Sequence, residues 1–186
     1  MFIPNRSIWV TMLLLFSPLS LASQEAVLAP IYQLSAKWTD DQGKPVSLTE
    51  WQGKPVIISM AYSTCRKFCP LTLLRLGEIQ RLYGKRMIEA EFVLISYDPI
   101  GDTWQSWAEY RKSHNLQRSN WHFLTGSPED TKTISQLLGM DYWLYDDHVM
   151  HNFKIVRLGP NGEIEKSLDW DSQEQLETLI PELSKP

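Results

Sequence analysis

Residues 55–70 read Pro55-Val56-Ile57-Ile58-Ser59-Met60-Ala61-Tyr62-Ser63-Thr64-Cys65-Arg66-Lys67-Phe68-Cys69-Pro70. The first half is a short apolar run, partly β-branched, of the kind that forms a strand buried on both faces. The second half ends on a proline, which presets the backbone for the first residue of a helix. Leu71, Leu74, Ile79 and Leu82 then recur at roughly helical spacing as far as Gly84. The two cysteines therefore sit where a buried strand gives way to a helix.

Upstream of this stretch, Ile31 to Trp38 and Val46 to Leu48 read as two short strands joined by the polar turn Asp40-Asp41-Gln42-Gly43-Lys44-Pro45. Downstream, Ala90 to Ser96 is a second buried strand. Asp102-Thr103 precedes a helix through Trp104, Trp107, Ala108 and Tyr110, and Trp121 to Leu124 is a short strand. Ser127-Pro128-Glu129-Asp130 combines an N-cap serine, an N1 proline and early acids, and opens a helix to Leu138. Leu138 to His148 reads as a short loop. Phe153 to Leu158 is a strand, Gly159-Pro160-Asn161-Gly162 a turn, Glu163 to Leu168 the returning strand, and a last helix runs from about Ser172 to Leu183. Strands alternating with helices, then a hairpin and a closing helix, specify an α/β protein with a mixed central sheet flanked by helices. With the N-terminal β-hairpin as an extension, the order is that of a thioredoxin-like fold. Fold by itself assigns no chemistry.

The 186 residues suit one domain, 43% of them are hydrophobic, and no long basic run is present. With 18 Lys+Arg against 22 Asp+Glu, the clustered positive charge that a polyanion partner requires is missing, which excludes nucleic acid. Arg6, the apolar stretch Ser7 to Leu21 broken by Pro18, and the small residues Ala22-Ser23 describe a secretory signal peptide over residues 1–22, cleaved after Ala22 or Ser23. Residues 23–186 would then be a single exported domain, located in the periplasm. A membrane would be met only through an uncleaved N-terminal segment, and that run is short of the roughly 20 residues a spanning helix needs. Thiols in such a compartment can be oxidised.

Cys65 and Cys69 are the two cysteines of the chain. A helix beginning at Pro70, with Cys69 at its cap, puts both thiols at the positive end of a helix dipole, and Arg66 and Lys67 lie between them. Both features favour thiolate. As a staple the pair would close a five-residue loop worth only about 2 kcal/mol, against about 4.7 kcal/mol for a 100-residue loop, which argues for a functional dithiol. His114 and His122 read as packing or surface residues. His148 and His151 lie in Asp147-His148-Val149-Met150-His151, just before a strand where oxidoreductases of this fold usually carry a cis-proline. Two thiolates and one imidazole suit copper, with Cu(I) preferred by sulfur, although zinc accepts the same donors and a histidine can also merely orient a thiol. The tryptophans read mostly as core. Trp143 and Tyr145 could rim a partner site, but burial is the expectation for large aromatics.

With these residues in view, the chain resembles the SCO/SenC family over roughly Tyr32 to Leu183. The resemblance rests on Trp51-Gln52-Gly53-Lys54-Pro55, the Cys65-to-Cys69 spacing with Pro70, and Ser96-Tyr97-Asp98-Pro99 with Asp102-Thr103. It continues in Leu124-Thr125-Gly126-Ser127 and in a histidine before the strand that ends in Gly159-Pro160-Asn161-Gly162. The resemblance implies a thioredoxin-like copper protein that binds one copper ion per chain, as Cu(I) or Cu(II), through Cys65, Cys69 and a histidine. It would deliver that copper to a cuproenzyme acceptor such as the copper-site subunit of cytochrome c oxidase, or maintain that site's thiols, with another copper chaperone or a thiol reductant as a further partner. The family's histidine lies eight residues before the residue opening the turn. Counting from Gly159 selects His151, whereas the aspartate that commonly precedes it would select His148. Spacing along a strand sets side-chain direction, so the count is preferred. Family members usually carry Pro and an acid after the first cysteine, where this chain has Arg66-Lys67-Phe68. The alternative function is a thiol-disulfide oxidoreductase in which Cys65, as the outer thiol, attacks a target disulfide and Cys69 resolves it.

Overall fold

The computed structural model describes residues 30–65, 69–146, 148–169 and 173–181. The expected signal segment, residues 1–22, lies outside them, as do Arg66 and Lys67. Along the chain come α1 (Pro30–Gln33), β1 (Trp38–Asp40), β2 (Pro45–Val46), a 3-10 turn (Leu48–Trp51) and β3 (Val56–Ala61). Then follow α2 (Cys69–Lys85), β4 (Glu91–Ser96), α3 (Trp104–Ser113), β5 (Trp121–Thr125) and α4 (Pro128–Leu138). The chain closes with β6 (Tyr142–Tyr145), β7 (His148–His151), β8 (Lys154–Leu158), β9 (Ile164–Asp169) and a second 3-10 segment (Gln173–Leu179).

Seven strands form one mixed sheet in the order β2-β1-β5-β4-β3-β8-β9. β3 pairs parallel with β4 and antiparallel with β8, and β4 pairs parallel with β5. The β1–β2 hairpin extends the sheet through antiparallel pairing of β1 with β5. All six residues of β3 are buried, because successive side chains enter two different cores. Ile57, Phe92, Leu94, Phe123 and Ile155 face Leu76, Ile79 and Tyr83 of α2 and Trp107 of α3. Ile58, Met60, Val93, Ile95 and Val156 face Ile31, Tyr32 and α4 residues Ile134 and Leu138. A sheet covered on both faces is why these strands read as apolar runs instead of alternating ones.

Capping chemistry sets the helix ends. The Ser127 hydroxyl accepts from the Asp130 amide at 3.0 Å, Pro128 opens α4, and Gly139 closes it in the left-handed region at φ 65°. Thr103 and Ser106 form a reciprocal cap at the start of α3.

Four expectations are corrected. Ile31 to Gln33 is a helical turn, and the strand starts only at Trp38. Neighbouring Ile31 and Tyr32 are both buried in one cluster, which alternating strand residues would not achieve. The second strand stops at Val46, because Ser47 and Glu50 form a capping box that starts the 3-10 turn taking Leu48 and Trp51 into the core. The region read as a loop before His148 is the β6–β7 hairpin, a separate two-stranded sheet. The terminal segment is a 3-10 helix over Gln173–Leu179 with Pro181 two residues on, where a proline cannot continue a helix. Residues 172, 182 and 183, the expected helix ends, lie outside the described set. No described helix is long and apolar enough to cross a membrane.

Candidate metal centre

The candidate site is built where β3, β4 and β7 end together. After Ala61 the chain turns at once, with the Cys65 amide donating to the Tyr62 carbonyl at 3.1 Å. A buried carboxylate from the neighbouring loop holds this turn. Asp102, 2% exposed, accepts from the Ser63 amide at 3.0 Å and from the Ser63 and Ser96 hydroxyls, each at 2.5 Å. The Ser96 hydroxyl in turn accepts from the Asp98 amide at 2.9 Å. Burial pushes the Asp102 carboxyl above its ordinary range, and nearby Asp98 adds to the rise, against the lowering effect of the serine hydrogen bonds. One carboxylate thus ties the loop carrying Cys65 to the loop after β4.

Cys65 packs in the apolar cluster with Ala61 and Leu73 and is 7% exposed. The Asp102 clamp and this packing hold the Cys65 loop in place. Cys65 lines a cavity of about 630 Å³ whose far wall includes Glu109, Tyr110 and His114. Cys69 belongs to α2 itself and not to its cap, and its side chain lies outside the described set.

The β6–β7 hairpin carries the histidines. His151 lies opposite Tyr142 and shares its face with buried Val149, whereas His148 and Met150 point to the other, exposed face. The His151 ring stacks on Tyr97 with centroids 4.5 Å apart and meets Tyr62 edge-on at 6.1 Å. Both tyrosines also reach the segment holding the histidine: the Tyr62 hydroxyl donates to the Val149 carbonyl at 3.3 Å and the Tyr97 hydroxyl to the Asn152 carbonyl at 3.5 Å. His151 Nδ1 is 2.8 Å from the Asn152 carbonyl. A carbonyl only accepts, so Nδ1 carries the proton and the lone pair of the neutral ring is on Nε2. Tyr62 is three residues before Cys65 and brings His151 to the Cys65 loop.

The other two histidines have neighbours of their own, although His114 also lines the cavity beside Cys65. His122 lies 2.9 Å from Glu91 and against Trp51, and His114 lies against Tyr110 at the end of α3. Among the described residues, no three His, Cys, Asp or Glu side chains already form a metal-ligating cluster.

The SCO1/SenC family model matches residues 26–185. The chain belongs to the SCO1/SenC family. The SCO1 protein homolog of Bacillus subtilis is 23% identical over 133 residues, which is 68% of each chain. Among solved structures, a SCO1/SenC family lipoprotein from Bacillus anthracis superposes with a TM-score of 0.71 at 22% identity, over 81% of this chain and 92% of that one. Arabidopsis thaliana ScoI with copper bound gives a TM-score of 0.67 at 26% identity, over 77% and 89%. The SCO1/SenC fold here is thioredoxin-like, as the order of elements in the sequence implied.

Sequence reading missed the roles of Tyr62, Tyr97 and Asp102. Asp102 and Tyr97 stood inside quoted motifs, but nothing local shows that a carboxylate 37 residues beyond Cys65 caps its loop. The hairpin had a signal: Tyr142-Trp143-Leu144-Tyr145 and His148-Val149-Met150-His151 flank two aspartates, and Asp146 adopts φ 47°, as tight hairpin turns require. Trp143 and Tyr145 are 54% and 69% exposed, against the expectation of burial, because the hairpin projects from the sheet instead of joining it.

Proposed function

We propose that this SCO1/SenC protein is exported and binds one copper ion through the Cys65 and Cys69 thiolates and His151 Nε2. It would pass that ion to a cuproenzyme such as the binuclear copper site of cytochrome c oxidase, or maintain that enzyme's thiols. The observation that carries this reading is the seating of His151 between Tyr62 and Tyr97, with its tautomer set by the Asn152 carbonyl. A backbone carbonyl holding Nδ1–H is the usual outer-shell device that orients a ligating imidazole and raises its basicity. Two thiolates and an imidazole are soft to borderline donors that suit Cu(I) and still accept Cu(II). The copper-bound Arabidopsis relative supports that choice of cargo. Three protein donors leave a position for a ligand from the acceptor, which suits transfer by exchange. Two-electron oxidation of the pair to a disulfide removes both sulfur donors together and gives redox control.

The test is a Cu(I) and Cu(II) titration of the reduced, mature chain against a competing chelator. One thiol-dependent equivalent, absent from the chain carrying Cys65→Ser and Cys69→Ser, is expected, lost in His151→Ala and retained in His148→Ala. Absence of a thiol-dependent equivalent in both oxidation states overturns the reading. Loss in His148→Ala alone transfers the ligand role to that residue.

The cavity beside Cys65 favours a second reading, thiol-disulfide exchange, since it gives a target sulfur a route to an otherwise buried thiol. Cys65→Ser and Cys69→Ser variants should then trap a mixed disulfide with an exported partner. No adduct with either variant, alongside intact copper binding, removes this reading.

A further inference from the structure

The outer face of the β6–β7 hairpin carries residues that the proposed centre does not use. Directly opposite residues of an antiparallel pair project to the same side. Trp143 lies opposite Met150 and Tyr145 opposite His148, so these four side chains share one face, while Tyr142, Leu144, Val149 and His151 share the other. The outer face is open to solvent: Trp143 is 54%, Tyr145 69% and Met150 39% exposed, and His148 is exposed as well. Trp143 and Met150 are left only about half covered, so core packing alone does not explain their choice.

We propose that His148 and Met150 form a second site, on this outer face, for a soft monovalent d10 cation such as Cu(I), with Trp143 as the ring beside it. Residues two apart on a strand project side by side, about 6.6 Å apart along the chain, within the combined reach of an imidazole and a thioether toward one ion. His148 Nδ1 is 2.7 Å from the Asp146 carbonyl, so Nδ1 carries the proton and Nε2 is the donating nitrogen. A thioether and an imidazole are both neutral and accept a soft ion in low coordination number, and a harder divalent ion gains little from the sulfur. An ion held by two neutral donors keeps its full positive charge. The indole of Trp143, directly across from Met150, offers the π-face that attracts such a charge. His151 faces the opposite way on the same strand, so the two sites are separate in space and do not share a donor.

The experiment titrates Ag(I), a redox-inert stand-in for Cu(I), and Cu(I) itself into the mature chain carrying Cys65→Ser and Cys69→Ser, against a competing chelator. One equivalent is expected, with tryptophan quenching that diminishes in Trp143→Phe. Adding Met150→Leu or His148→Gln should weaken binding about ten-fold or more, and Zn(II) should not compete. The wild-type reduced chain, which keeps its folding independent of the cysteine changes, should take one equivalent more than its Met150→Leu form. The site is overturned if the thiol-free chain takes up no ion, which leaves the face as an apolar docking surface for a protein. It is equally overturned if uptake survives both Met150→Leu and His148→Gln, or is lost only in His151→Ala. Failure of the Cys65–Cys69–His151 reading would remove the thiol-dependent equivalent and leave this one, so the two fail separately.

Discussion

The His151 imidazole lies nearly flat on the Tyr97 ring, with centroids 4.5 Å apart and planes 21° apart. Tyr97 immediately follows β4, and the Tyr97 amide donates to the Ala61 carbonyl at 2.9 Å at the end of β3. The histidine is therefore referenced to the end of the central sheet and not only to its own hairpin. That contact, with those of Tyr62, ties the projecting hairpin to the ends of β3 and β4.

Tyr97→Leu should keep most of the buried volume but remove the ring platform. An aromatic pair contributes about 0.5–1.5 kcal/mol beyond burial, so copper affinity should fall about two- to ten-fold, with a comparable loss of stability. Chelator competition and urea unfolding on the same preparation check both. Unchanged affinity would mean that the Asn152 carbonyl alone positions the ring.

Asp102 makes stability depend on pH in a defined direction. Its folded-state carboxyl is raised by burial, so its contribution is fully present below the unfolded value of about 3.9 and is lost as pH rises through the raised folded value. Asp102→Asn lacks that titration. The stability of wild type minus that of Asp102→Asn should therefore be largest at low pH, decline with rising pH and then level off. Urea unfolding of both proteins between about pH 3 and pH 7 reads the difference, and a difference that grows with pH would contradict the assignment.

Gly162 sits at φ 85° in the turn between β8 and β9, and a Cβ there would lie 2.7 Å from Tyr32 Cδ2. Tyr32 is buried in α1, and burial pushes its hydroxyl up to about 12, with nearby Glu163 adding to the rise. Gly162→Ala combines backbone strain with a clash against a ring that has no room to move, and should cost about 3 kcal/mol. A thermal melt tests this. A cost below about 1 kcal/mol would mean that α1 is loosely held.

Leu144 and Val149 are cross-strand partners of unequal burial, at 76% and 8% exposed. Leu144→Ser should change stability by no more than about 0.5 kcal/mol, whereas Val149→Ala should cost about 1–2 kcal/mol. Equal costs in denaturant unfolding would show that the hairpin tip is packed in solution.

The alternation of buried runs with capped helices was legible locally, since burial on both faces writes itself into Val56–Ala61 and Phe92–Ile95, and caps are written in Ser127-Pro128 and Thr103. Cys65 and Cys69 stood out because two thiols at a strand-to-helix junction are a short-range pattern. His151 could be ranked above His148 by register, because side-chain direction alternates along an extended chain. What a single stretch of chain does not contain is which distant groups meet. The helical turn at Ile31–Gln33 depends on a core assembled with Ile134 and Leu138. The clamp on the Cys65 loop depends on Asp102, brought in by parallel pairing of β3 with β4. The exposure of Trp143 and Tyr145 depends on a hairpin that pairs with itself and leaves the main sheet. Each is settled by long-range packing, where burial and hydrogen-bond partners come from elements far apart in sequence and outweigh local propensity.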